Sequence, residues 1–198
     1  MHLMDKLLII ETASNQPFIF LKKKDNKILL PLDNGFNLSK NIHLSLKNIF
    51  SKFGIKPEDL DAIATGIGPG SFTGLRVGVT IAQTLSFTSK VPLIPFYSPL
   101  AFVPQETSNY SVIFDARSQG LYVFDNIEQK PQRIPIAQAL QLLQKKENIY
   151  TPDDNLLKKL EEYSLPLTKV SPCITPLLNH LKNSFSNKIY GSLPLIYP

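Results

Sequence analysis

The sequence predicts an α/β protein with a partly parallel sheet, and two patterns carry that prediction. A buried apolar segment at residues 62–67 leads through a glycine-rich turn into a helical pattern at 73–87, and a strand pattern follows at 92–96. A strand, a crossover helix and a second strand of these lengths favour parallel pairing in one sheet. Three shorter strand patterns precede this unit and predict hairpin pairing beside it.

The elements of the first half follow from turn residues and apolar spacing. The three N-terminal strand patterns cover residues 7–11, 17–21 and 28–32, with polar turns between them. Apolar residues then recur at helical spacing over residues 38–53, and Gly54 stands where a glycine ends a helix.

The second half begins again with strands. Polar residues at 104–109 interrupt the pattern and predict two lobes, 1–104 and a smaller, reduced 105–198. Strand patterns at 111–115 and 120–125 are followed by helical patterns at 136–144, 156–163 and 175–185. The apolar residues 193–198 predict a C-terminal tail that packs on the body, since a disordered tail is more often polar.

Composition favours a folded protein outside the membrane. The chain is 43% hydrophobic and 19% charged, and no apolar run approaches the roughly 18 residues of a membrane span. No signal-peptide pattern is present at the N-terminus, so we expect a cytoplasmic protein. The net charge of +5 permits an acidic partner, including RNA, without identifying one. Cys173 is the single cysteine, and the three histidines share no ligand spacing, so we expect no metal site.

The most informative segment is the glycine-rich turn at residues 66–76. Its glycines and proline require a sharp turn or a close approach of the backbone. The helix that follows would expose N–H groups to an anion, but Ser71 and Thr73 could cap it, so a capped turn and a phosphate-binding loop both remain open. The turn is not a Walker A loop, because no lysine follows Gly74. Nor is it a nucleophile elbow, because Ser71 lacks the flanking glycine pair.

Residues 66–78, Gly-Ile-Gly-Pro-Gly-Ser-Phe-Thr-Gly-Leu-Arg-Val-Gly, closely resemble the TsaB (YeaZ) family. Residues 8–13 resemble the family's opening strand, and Asp115-Ala116-Arg117 with Tyr122 resembles its second-domain pattern. The resemblance is strong over about residues 1–125 and implies an actin/sugar-kinase-like ATPase fold with two ribonuclease-H-like lobes.

The resemblance implies a non-catalytic scaffold in the synthesis of threonylcarbamoyladenosine at position 37 of tRNA. Such a protein is expected to bind a TsaD-like catalytic subunit, to be joined by a TsaE-like ATPase and to meet tRNA indirectly through the complex. An apolar helix face that seeks a partner can also pair with itself, so an isolated homodimer that acts as a regulator stays open as an alternative. The resemblance places the partner contact on the two helices of the first lobe. The residues implied there are Leu38, Ile42, Leu46, Gly70, Ser71, Phe72, Thr73, Gly74, Arg76, Gly78 and Ala82.

One departure from the ATPases of this fold bears on catalysis. Glu11 and Thr12 stand where those ATPases hold metal and phosphate, but residues 11–15 contain no glycine. We therefore expect no catalytic residue and no cofactor of the chain's own, with ATP at the interface with the partner. The rival interpretations are a small ATPase that uses Glu11 and a glycoprotease-like peptidase, and the sequence contains only fragments of either machinery.

Overall fold

The computed structural model describes residues 4–33, 35, 37–105, 109–117 and 120–184. These residues form two five-stranded sheets. The strands of the first sheet are Lys6–Glu11 (β1), Phe18–Lys23 (β2), Asn26–Pro31 (β3), Ala62–Gly66 (β4) and Leu93–Phe96 (β5). The strands of the second are Ser111–Asp115 (β6), Leu121–Asp125 (β7), Gln132–Ile134 (β8), Ile149–Thr151 (β9) and Leu167–Lys169 (β10).

Both sheets have the same topology. The first has the order β3-β2-β1-β4-β5, and the second, taken in the same direction, has the order β8-β7-β6-β9-β10. In each, the first three strands pair antiparallel as consecutive hairpins and the last two are added in parallel. The predicted α/β class and the two-lobed arrangement are confirmed. The predicted division at 104/105 lies beside residues 106–108, which are outside the described ranges, and stays a prediction.

Of the α-helices in the described chain, the first two cover the outer face of the first sheet, the next two cover that of the second sheet, and the last packs between the lobes. They are Leu38–Phe53 (α1), Phe72–Ser89 (α2), Ile136–Leu143 (α3), Asp154–Leu160 (α4) and Ile174–Ser184 (α5). Helix α1 ends at Gly54, which adopts the left-handed conformation with φ of 57°, as the sequence predicts. None of these helices is both long and apolar enough to cross a bilayer.

Strand β1 is buried on both faces, which explains its uninterrupted apolar run. Leu8 and Ile10 belong to the core beneath α1 and α2. Leu7 and Ile9 point the other way, into a core shared with the second lobe. Side chains alternate across a strand, so a strand covered on both sides must be apolar at every position.

The core between the lobes is aromatic. Phe102 and Phe114 pack edge to face with ring centroids 5.9 Å apart, and both are buried in this cluster. Residues of α5 complete it, including Leu177 and Leu181. On the far side of the second sheet, a separate core lies beneath α3 and α4. The two lobes therefore share one layer of core and hold one helical layer each on the outside.

Three short strands and one helix end differ from the sequence prediction. Strands β8, β9 and β10 are each three residues long, too short to give a periodic signal. The predicted helix at 156–163 is in fact α4 followed by a 3-10 turn at Glu161–Tyr163. The end of the last predicted helix, at 185, and the predicted tail at 193–198 lie outside the described residues.

The side chain of Gln16 adds two hydrogen bonds between the lobes to the core that they share. The amide Nε2 of Gln16, in the turn between β1 and β2, donates to the carbonyl oxygen of Pro152 at 2.9 Å and to that of Val170 at 3.0 Å. Both acceptors belong to loops at the ends of second-lobe strands. Both hydrogens of the Gln16 side-chain amide therefore bind the turn to the other lobe.

Replacement of this amide is expected to loosen the two lobes. Gln16→Ala leaves two carbonyls without their donor, and we expect a loss of about 1–3 kcal/mol in the free energy of unfolding, measured by urea denaturation. The matched control is Gln138→Ala, on the exposed face of α3, which should change stability by less than about 0.5 kcal/mol. Equal effects of the two substitutions would contradict the assigned role of Gln16.

Candidate functional site

The glycine-rich turn packs directly on the chain segment that follows β1. The backbone N–H of Ser71 donates to the carbonyl oxygen of Ala13 at 2.7 Å. A Cβ atom at Gly70 would lie 2.0 Å from this same oxygen, and one at Gly74 would lie 2.0 Å from the carbonyl oxygen of Thr12. No side chain fits at these distances, so the turn requires glycine because of the chain's own backbone.

Helix α2 continues this close approach for one more turn. The hydroxyl of Thr12 donates to the carbonyl oxygen of Gly74 at 2.8 Å, and a Cβ at Gly78 would lie 2.0 Å from that hydroxyl oxygen. Gly74 and Gly78 are four residues apart and therefore share one face of α2. That face is occupied by Thr12 of the same chain.

The start of α2 is capped from within. The Ser71 hydroxyl accepts from the N–H of Gly74 at 3.2 Å, and the Ser98 hydroxyl accepts from the N–H of Gly68 at 3.2 Å. With the Ser71 N–H bound to Ala13, three amides of the turn already have partners. Of the two interpretations of the sequence, the described residues match the capped turn.

The carboxylate of Glu11 is enclosed by the same segment. Glu11 is fully buried, and its oxygens accept from the N–H of Ala13 at 2.9 Å, from the N–H of Ser14 at 3.2 Å and from the Ser14 hydroxyl. The Ser98 hydroxyl adds a further hydrogen bond. Burial raises the pKa of the Glu11 carboxyl, and these hydrogen bonds oppose that rise.

A polar cleft of about 220 Å³ separates the lobes beside this turn. Its lining residues are Ala13, Ser14, Asn15, Gly70, Ser71, Phe114, Asp115, Arg117, Pro152 and Asp153. Neither Glu11 nor Thr12, at 0% and 2% exposure, reaches it. Two carboxylates do reach it, and both have partners: Asp115 binds Lys159 at 3.2 Å, and Asp153 caps α4.

The cleft carries charges of both signs, because Arg117 lines it together with the carboxylates of Asp115 and Asp153. The N–H groups of Gly68, Ser71 and Gly74 already have partners within the chain, which leaves fewer donors at the turn for a phosphate. Within the described ranges, no group of three or more His, Cys, Asp or Glu side chains is placed to hold a metal ion. We derive no chemical step through this cleft.

A second, larger depression lies between α1 and α2 on the outer face of the first lobe. It measures about 420 Å³, and most of its lining is apolar. Its residues are Ser39, His43, Leu46, Arg76, Val77, Thr80, Ile81, Thr84 and Leu85. We call this depression and the exposed side chains around it the α1–α2 surface. It faces away from the second lobe, which packs on the opposite side of the first sheet.

The threonines of α2 make this surface less polar than its sequence indicates. The hydroxyl of Thr84 donates to the carbonyl oxygen of Thr80 at 2.8 Å, and that of Thr88 donates to Thr84 at 2.8 Å. A threonine hydroxyl bound to its own helix in this way has little need of another partner. Phe87, on the same side of the helix, is 87% exposed.

The structure separates the eleven residues of the predicted interface into three groups. Six are buried within this chain and offer it structural support: Leu38, Ile42, Leu46, Gly74, Gly78 and Ala82. Of these, Leu46 also forms part of the groove. Gly70 and Ser71 line the interlobe cleft. Phe72, Thr73 and Arg76 are exposed on the first turns of α2. The apolar stripe of an amphipathic helix packs on its own sheet first, which is why the strongest sequence signal fell on buried positions.

Arg76 holds a defined position on this surface. Its guanidinium carbon lies 4.0 Å from the centroid of the Phe72 ring, a cation–π contact. The outward residues that sequence reasoning missed include Val77, four residues after Thr73, and Thr80 and Thr84, four and eight residues after Arg76. Continuing that spacing along the helix would have found them.

The packing of Gly74 gives a prediction with an unusual sign. Alanine inside a helix is favoured over glycine by about 1 kcal/mol, yet Gly74→Ala should destabilise the protein by about 3 kcal/mol, because the new methyl group meets the Thr12 carbonyl. Thermal or urea unfolding measures the change. Gly35→Ala is the control, since no atom lies within 4 Å of a Cβ at that position. A stabilised Gly74→Ala protein would contradict the packing described.

The buried carboxyl of Glu11 gives a prediction about pH. Its raised pKa means that the folded state retains a proton that the unfolded state loses, so this group makes stability fall as pH rises from the ordinary glutamate pKa through the raised one. Glu11→Gln removes that dependence. We expect the stability of Glu11→Gln relative to the unsubstituted protein to increase between about pH 5 and pH 8 in urea unfolding. The control is Glu128→Gln, at an exposed position, whose stability relative to the unsubstituted protein should not change with pH. If the relative stability of Glu11→Gln is also constant over this pH range, the assignment is refuted.

Comparisons with known proteins agree on the family. A family model described as "TsaD: tRNA N6-adenosine threonylcarbamoyltransferase" matches residues 29–187. The chain is 35% identical over 97 residues to the tRNA threonylcarbamoyladenosine biosynthesis protein TsaB of Haemophilus influenzae, covering 46% of this chain and 41% of that protein. It is 37% identical over 103 residues to the TsaB of Bacillus subtilis, covering 46% and 44%. The matches thus span less than half the length of these relatives.

The fold comparison extends over nearly the whole chain. A crystal structure from Pseudomonas aeruginosa, described as an uncharacterized protein with similarity to peptidase YEAZ, aligns with a TM-score of 0.68 over 98% of this chain and 99% of the other, at 16% identity. This likeness concerns the fold, and with the family match it confirms the predicted actin-like ATPase-type architecture of two lobes. The chain therefore belongs to the protein family that the TsaD model describes, and among its members it is of the TsaB (YeaZ) kind.

Proposed function

We propose that this chain is the non-catalytic scaffold subunit of a complex that makes N6-threonylcarbamoyladenosine on tRNA, and that it binds a TsaD-like catalytic subunit through the α1–α2 surface. The observation that carries the proposal is the apolar groove between the two helices, which lies open on the face opposite the second lobe. Apolar surface left open in this way is typical of a site that another protein covers.

The state of the glycine-rich turn supports a scaffold over an enzyme. In this chain the turn binds residues 12 and 13 of its own backbone, and the nearby acid, Glu11, is enclosed by its own loop. A small ATPase would need those groups to face phosphate and metal. A peptidase would need an activated nucleophile, whereas the Ser71 hydroxyl serves as a helix cap.

The family relationship suggests how the partner would bind. A model of the TsaD family matches most of this chain, so the catalytic subunit is expected to present a related pair of helices on its first lobe. Two related folds can meet through equivalent surfaces, in the manner of an isologous dimer. The proposal therefore pairs α1 and α2 with their counterparts on the TsaD-like subunit.

The remaining parts of the proposal concern the assembly. A TsaE-like ATPase joins the complex, tRNA is reached through the complex as a whole, and ATP binds at the interface with the partner. The burial of Glu11 and Thr12 away from the interlobe cleft supports this last assignment, since these two residues stand where the ATPases of the fold hold metal and phosphate. The proposal places the protein in the cytoplasm, with the tRNA that is modified.

Substitution on α2 tests the surface. Thr84→Arg inserts a long charged side chain at an exposed position of the groove. Arginine has a high helix propensity, so α2 should stay folded. We expect the Kd for the cognate TsaD-like subunit to rise at least about tenfold, by isothermal titration calorimetry, with unchanged thermal stability. The matched control is Gln138→Arg, the same new side chain on exposed α3 of the other lobe. If both variants bind alike, the α1–α2 surface is not the contact.

Reconstitution tests the function itself. Threonylcarbamoyladenosine formation on tRNA is measured with the cognate TsaD-like and TsaE-like subunits, threonine, bicarbonate and ATP, with and without this chain. Product that requires the chain, and falls with Thr84→Arg in parallel with binding, is the expected result. Undiminished product when the chain is omitted would refute the scaffold role.

A further inference from the structure

The two helices of the α1–α2 surface carry positive charge and no negative charge. Residues 38–53 contain three lysines, residues 72–89 contain one arginine, and neither helix contains an Asp or Glu. No residue that lines the groove is acidic, whichever element it comes from. The cationic residues are Lys40, Lys47, Lys52 and Arg76.

Two of the lysines lie beside the groove. Lys40, His43 and Lys47 are spaced by three and four residues and so share one exposed line along α1. His43 lines the groove itself, which places Lys40 and Lys47 next to it on the outer side. Arg76 lines the groove from α2. The apolar groove therefore has cationic side chains along both helices.

We infer that the occupant of this groove is a partner helix face that is apolar at its centre and acidic at its edges, and that a second copy of this chain is disfavoured there. The inference rests on the proposed function and specifies the chemistry of the partner. In a two-fold dimer the same patch meets itself. Where the two helices of one copy meet those of the other, the lysines of one would face only cations or neutral groups, since neither helix contains an acid.

The balance between the two occupants follows from charge. Opposite charges across an interface speed association and raise specificity, while like charges brought together oppose the wrong partner. An apolar groove alone would accept a second copy as readily as a different protein. The cations beside the groove distinguish the two cases, so a homodimer formed through this surface should be the weaker of the two complexes.

Salt distinguishes the two complexes by the sign of its effect. Between about 50 mM and 500 mM NaCl, screening of opposite charges should raise the Kd of the complex with the cognate TsaD-like subunit several-fold. Over the same range, screening of like charges should lower the Kd for self-association. Calorimetry measures the Kd for the TsaD-like subunit, and sedimentation equilibrium measures the Kd for self-association. Self-association that weakens with salt would overturn the inference.

Reversal of the charge at two lysines beside the groove is a second test of the inference. Lys40→Glu combined with Lys47→Glu should raise the Kd for the TsaD-like subunit at least about tenfold at low salt, and should tighten self-association, because acids on α1 of one copy now meet Arg76 on α2 of the other. The matched control is Lys130→Glu combined with Lys158→Glu, which makes the same change in net charge at exposed positions of the second lobe and should affect neither value.

The outcomes separate this inference from the function on which it rests. A complex with the TsaD-like subunit that is insensitive to salt and to the Lys40/Lys47 reversal would overturn the charge inference and leave the scaffold proposal standing. Absence of any complex would overturn both. Equal loss of binding in the two charge-reversed proteins would show an effect of net charge alone and would also overturn the inference.

Discussion

The structure depends on one close approach, between the glycine-rich turn and the two residues that follow β1. Two backbone carbonyls, of Thr12 and Ala13, occupy the space where side chains at residues 70 and 74 would stand. This contact sets how far α2 can move towards the sheet, and so it sets the position of the whole α1–α2 layer. It also fixes the turn between β1 and β2, from which Gln16 reaches the second lobe. A backbone contact of this kind cannot relax by a change of rotamer, so the elements on both sides are held rigidly.

The same part of the structure also occupies N–H groups that a phosphate-binding loop would use. A glycine-rich loop at a helix start can bind phosphate only if its N–H groups are free to point at it. In this chain the amides of Ser71, Gly74 and Gly68 have internal acceptors, and the carboxyl of Glu11 is buried among donors. The motif thus stabilises the fold of this chain. The close packing on residues 12 and 13 is sufficient to explain why glycine stands at residues 70 and 74.

Helices α1 and α2 have two different faces, and each face has its own role. The inward face packs on the first sheet with Leu38, Ile42 and Ala82 at or near zero exposure. The outward face leaves a groove in which the hydroxyl of Thr84 binds the helix backbone and beside which cationic side chains lie. Packing fixes the first face, so the second can vary in charge without cost to the core, and partner choice can be set independently of stability.

The sequence alone determined the α/β class, the hairpin strands, the long helices and the glycine-rich turn, because each depends on local periodicity or on turn residues. It also pointed to the family, and the two helices on which the proposed partner surface lies were predicted from the sequence. The sequence did not predict strands β8 to β10, because three residues are too few to show a periodic pattern. These strands form through pairing with their neighbours. The tertiary structure alone decided which atoms the glycines accommodate and which helix residues face outward. Both depend on contacts between segments some sixty residues apart, such as Thr12 with Gly74, and no local pattern records such a contact.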